Sequence, residues 1–120
     1  MNGNPTKRQS DFQDWARGLG CITENDHGRI AIHHIKGAKK RLKGVYERGE
    51  YGDWYIIPVC YYWHQDGKNE SAIHTNRARF RRFWEMSEKD FWLKLMEIYK
   101  QQFGCYPMNY DEYQIIKDRG

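Results

Sequence analysis

The chain of 120 residues has little of what breaks or staples a fold, with three prolines and three cysteines. An odd number of cysteines excludes a fully paired disulfide framework. Residues 1–14 are polar and hold no apolar run. Together these set the expectation of a reducing, cytoplasmic compartment, where Cys21, Cys60 and Cys105 are thiols or metal ligands. No apolar stretch approaches the length of a membrane span, so no membrane partner is expected. Aliphatic residues are also sparse. Mean hydropathy is −1.01, yet 16% of the chain is aromatic, with five Trp and nine Tyr. Rings of that size bury large areas each, which argues for a folded domain with a ring-built core. The length fits one domain, and no internal repeat or low-complexity segment is present.

Charge is unevenly spread. The net charge is only +4, but residues 29–43 carry Arg29, Lys36, Lys39, Lys40, Arg41 and Lys43 without one carboxylate. Residues 77–82 likewise hold Arg77, Arg79, Arg81 and Arg82 and no acid. Segregated cations suit a polyanion such as nucleic acid. A solvated basic face is the competing reading.

Periodicity outlines the elements. Ser10, with Gln13 three residues on, fits a helix start. Phe12, Trp15, Ala16 and Leu19 follow at helical spacing, and Gly18 or Gly20 can end that helix. The β-branched run at 29–35 predicts a strand. A basic, Gly-punctuated loop runs from Gly37 to about Asp53, and Trp54 to Val59 reads as a second extended segment that Pro58 should end at an edge or turn. Residues 72–84 fit a helix with its arginines spread round the cylinder. The clearest helix opens on Ser87-Glu88-Lys89-Asp90, carries a packed stripe of Phe91, Leu95, Ile98 and Phe103 with Trp92, Met96 and Tyr99, and stops at Gly104. A short helix is expected from about Asp111 to Lys117.

His33, His34, His64 and His74 are the candidates for chemistry. A lone histidine is usually a packed residue, but His33 and His34 adjoin at the end of an apolar strand. Neighbouring strand side chains point to opposite faces, so both serve one site only if the strand ends or bends there. Cleaving a phosphodiester needs an activated water and neutralisation of charge on the phosphate. A divalent metal on neutral imidazoles does the second, and an imidazole, whose ordinary pKa is about 6.5, can do the first.

The run Ile32-His33-His34-Ile35, the basic loop, Ile57-Pro58-Val59-Cys60-Tyr61-Tyr62-Trp63-His64 and Ala72-Ile73-His74 resembles the HNH (ββα-metal) endonuclease superfamily. Within it, the likeness is to the phage recombination-enhancement, RecA-dependent nucleases. It covers roughly residues 21–83. The resemblance implies an α+β fold: a small single domain with a ββα-metal core at about 29–84 and flanking helices, the C-terminal ones at about 88–118. Residues 1–9 would be a flexible arm before a domain at 10–120. It further implies that His33, His64 and His74 are metal ligands and that His34 is the water-activating base. One divalent ion is implied, Mg²⁺, Mn²⁺, Ni²⁺ or Zn²⁺, and three imidazoles suit the softer ions better than Mg²⁺. Lys36, Lys39, Lys40, Arg41, Lys43, Arg77 and Arg79 would flank DNA. A host or phage recombinase is the further partner, in a bacterial cell carrying a phage or prophage.

The chain departs from the family pattern in two places. Tyr55 stands nine residues before His64, where many relatives have an asparagine that orients the base. Many relatives also carry a structural zinc; here Cys21 and Cys60, with His27, supply at most three of the four ligands such a site needs. Buried free thiols are therefore the favoured reading of the cysteines, with Trp63 packing in place of the zinc. The alternatives are a non-catalytic DNA-binding module of the same fold and a histidine-rich metal-binding protein.

Overall fold

The β-branched residues of Ile30–His34 form strand β1, which pairs antiparallel with β2, Ile56–Cys60. The register sets Ile32 against Pro58, His33 against Ile57 and His34 against Ile56. Every residue of β2 is buried, which explains its unbroken apolar run. Pro58 lies in the middle of β2, not at its end as the sequence suggests. In a two-stranded sheet every strand is an edge, so proline's missing donor is tolerated. The Pro58 carbonyl accepts from the Ile22 amide at 2.8 Å.

The computed structural model describes residues 4–25, 28–35 and 51–120. His27, Lys36, Lys39, Lys40, Arg41 and Lys43 lie outside them. The described residues form a small α+β domain with five α-helices: α1 (Lys7–Leu19), α2 (Tyr61–His64), α3 (Arg77–Trp84), α4 (Glu88–Phe103) and α5 (Tyr110–Arg119). A 3-10 turn, Tyr51–Asp53, precedes β2. Among the described residues no helix is long and apolar enough to cross a membrane.

Helix α1 starts earlier than the sequence suggests. Its N-cap is Thr6, whose hydroxyl accepts from the Gln9 amide at 3.2 Å while the Gln9 side chain accepts from the Thr6 amide at 2.8 Å. Residues 7–9 are thus helical rather than part of an arm, and Gln9 is fully buried. The pattern Thr6-x-x-Gln9 is as good a capping box as Ser10-x-x-Gln13, and burial of Gln9 favours the earlier one. Helix α3 is shorter than expected: residues 72–75 form turns, and Asn76 caps the helix through the Arg79 amide. Helix α4 keeps its expected bounds, with Ser87 and Asp90 in a reciprocal cap and Gly104 in the left-handed conformation at φ 81°.

The core is built from rings. Trp92 is fully buried, edge-on to Tyr55 at 5.2 Å and stacked on Tyr113 at 5.8 Å. Its indole N–H donates to the Trp54 carbonyl at 2.9 Å, which ties α4 to the segment before β2. On the other side Phe12 of α1 packs on Trp54 at 5.6 Å. Trp63 is 5% exposed and packs against Phe83 and Trp84.

Candidate metal centre

Three segments deliver the histidines. His33 comes from β1, His64 ends α2, and His74 lies in the turns before α3. Two backbone hydrogen bonds bring the last two together: Ile73 N–H donates to the Trp63 carbonyl and His74 N–H to the His64 carbonyl, both at 2.9 Å. Asn69, 6% exposed, braces the same turn by donating to the Tyr62 carbonyl at 2.9 Å and accepting from the Ser71 amide at 3.0 Å. Gly28 seats α2 against the start of β1. Its φ is +97°, and a Cβ there would stand 3.2 Å from the Tyr61 Cβ, so a side chain would be strained twice over.

One nitrogen from each of His33, His64 and His74 lies within 4.8 Å of the other two. The three histidines are therefore close enough to hold a metal ion. The rings meet at 4.6 to 5.4 Å between centroids, and the Nε2 atoms of His64 and His74 are 3.0 Å apart. His64 Nδ1 is buried with no hydrogen-bond partner among the described residues. Burial, reinforced by His33 and His74, pushes the His64 pKa down to about 4. A neutral imidazole is the state that binds a cation. This donor set fits a divalent ion.

The candidate ligand His33 is itself held. It is 2% exposed, and its Nε2 lies 2.7 Å from Glu88 Oε1, at the first turn of α4. Glu88, 7% exposed, also accepts from Arg77 Nε. Burial pushes the Glu88 carboxyl up, but the bond and charge of His33, then Arg77, outweigh it and hold the carboxyl below its ordinary value. An ionised Glu88 only accepts, so His33 donates from Nε2 and leaves Nδ1 for a metal. Such a carboxylate behind a ligand fixes its tautomer and raises its basicity.

His34, the adjacent residue, faces the other way. Its side chain is 53% exposed, and Nε2 lies 3.0 Å from Asp53 Oδ1. It is not one of the clustered ligands. Tyr55 is 1% exposed and packed on Trp92.

The basic residues divide. Arg77 is committed to Glu88 and Arg79 lies 3.6 Å from Glu70, while Arg79, Arg81 and Arg82 are exposed. Trp54 is buried; Tyr61 and Tyr62 are 46% and 37% exposed. Cys21 and Cys60 are buried free thiols, and Cys105 is exposed, contrary to expectation. Among the described residues neither Cys21 nor Cys60 joins a cluster of ligands. Burial pushes the Cys21 thiol up, and Thr23 and Asn25 occupy the two sulfurs at 3.0 and 3.3 Å.

Glu88 and Asp53 are the residues sequence reasoning missed. Glu88 carried a visible signal, but as part of a helix cap; Asp53 carried none. Comparison with family models, curated proteins and solved structures returns no match.

Proposed function

We propose that this chain is a metal-dependent DNA endonuclease built on a ββα-metal (HNH) core of β1, β2 and the helices that follow. The observation that carries this reading is the convergence of His33, His64 and His74, the three residues for which the HNH resemblance implies a ligand role. A divalent ion on those nitrogens would neutralise charge on the scissile phosphate and stabilise the leaving oxygen. His34, next to His33 at the end of β1 and exposed, would take the proton of the attacking water as its oxygen bonds to phosphorus and the bond to the leaving oxygen breaks. Arg79, Arg81 and Arg82, which are exposed, would contact the DNA backbone, and the sequence assigns the same role to the lysine run at 36–43. Three imidazoles favour Zn²⁺, Ni²⁺ or Mn²⁺. The recombination setting, with a recombinase as partner, follows from the family resemblance alone.

A supercoiled-plasmid nicking assay with a panel of divalent metals tests the proposal. Nicking should depend on added metal, stop with EDTA, and be lost in His34→Ala while DNA binding remains. Salt-sensitive binding with no nicking under any metal would instead identify a non-catalytic DNA-binding module.

A further inference from the structure

The geometry points to Asp53 as the positioning residue of His34, filling the role left open by Tyr55. This rests on the reading of His34 as the base that activates water. A carboxylate can only accept. At 3.0 Å from Asp53 Oδ1, His34 Nε2 therefore carries the hydrogen. Nδ1, which bonds to no described residue, then keeps the lone pair that a base needs.

The contact differs from an ordinary surface pair, which contributes little because both side chains are loose. Asp53 is 14% exposed and its backbone is fixed on several sides. The buried Gln13 side chain donates to the Asp53 carbonyl at 2.8 Å. Trp54 N–H and Tyr55 N–H close the 3-10 turn onto Tyr51 and Gly52 at 2.9 and 3.1 Å. Ile35 N–H, one residue past His34, donates to the Tyr55 carbonyl at 3.2 Å. Trp92 holds the Trp54 carbonyl from the core side. The backbone at both ends of the His34–Asp53 pair is thus tied into one hydrogen-bonded frame, which keeps the carboxylate beside the exposed ring. Asp53 lies two positions before Tyr55 in the chain, near enough to take over the task and outside the motif in which the orienting residue is sought.

The test reads the ring directly. Protein labelled with ¹⁵N-histidine, free of metal and DNA at a pH of about 8, where an ordinary imidazole is neutral, gives the His34 nitrogen signals; His34→Gln assigns them. The wild type and Asp53→Asn, which keeps an accepting oxygen, should show the tautomer protonated at Nε2. In Asp53→Ala the two nitrogen signals should move toward each other as the ring samples both tautomers. In the nicking assay Asp53→Ala should lower kcat by about 10²-fold, the lower range of general-base effects, with KM nearly unchanged and most activity kept in Asp53→Asn. A wild-type ring protonated at Nδ1, or nitrogen signals that Asp53→Ala leaves in place, would overturn the role of Asp53. The nitrogen signals are read without cleavage, so a chain that binds DNA and never nicks it refutes the nuclease reading separately.

Discussion

His33 and His34 are neighbours in the chain and opposites in the fold. His33 is sealed in the core, 2% exposed, with two other imidazoles in front of it and the Glu88–Arg77 pair behind. His34 is half in solvent, with one carboxylate beside it. The strand's alternation makes the division. A buried ring fixed by a carboxylate suits a ligand, whose nitrogen must wait in one place. An exposed ring suits a group that exchanges protons with water. One pair of adjacent residues at the end of β1 thereby offers a candidate ligand on one face and an exposed imidazole on the other.

The strongest way to break this comparison is to remove the cluster. His74→Ala, at an exposed position, should abolish stoichiometric metal binding by calorimetry and nicking with it, while the fold is kept. Retained binding would show that the cluster is not the site. Next in size, His34→Ala should lower nicking by about 10²–10⁴-fold, the range of general-base contributions, with metal affinity unchanged. If metal affinity fell instead, the two faces would not be separate. Glu88→Gln should weaken metal binding by about 10–100-fold, as loss of a carboxylate behind a ligand does, and its effect on nicking should be recovered at high metal concentration.

The cluster also makes a pH prediction for the metal-free protein. The folded-state pKa of His64, about 4, lies below the ordinary value of 6.5. The unfolded chain therefore binds the proton first as pH falls. Stability should be fully present above about 6.5, decline as pH drops toward about 4, and level off below. The lowered Glu88 carboxyl extends the acid loss below its ordinary value. Urea midpoints measured through that window check this, and His64→Gln should flatten the upper part. The smallest effect expected is at the rim: Arg79→Ala should reduce the log–log salt slope of DNA binding by about one unit, the contribution of one phosphate contact.

The three clustered histidines were legible in the sequence because histidine is scarce in the chain and their order matched the HNH resemblance. Their supports were not. Glu88 lies 55 positions from His33 and Asp53 19 from His34, and no local pattern links such residues. Glu88 sits in the capping run of α4, where its chemistry is masked by an adequate local reason for an acid. Helix α4 was clear from its stripe and its caps. The start of α1 was not, because two overlapping capping boxes fit and only burial of Gln9 separates them. Tyr55 stands where the motif has an asparagine, and its burial against Trp92 makes it a core residue; Asp53, two positions earlier, is the carboxylate in contact with His34.

The most direct test of the account is anomalous scattering from crystals grown with Zn²⁺ or Mn²⁺. The account predicts one peak among His33, His64 and His74, about 2.0–2.2 Å from one nitrogen of each. It also predicts His33 bound through Nδ1 with Nε2 still on Glu88. No peak there at saturating metal, or a peak held by His34 and Asp53, would contradict it.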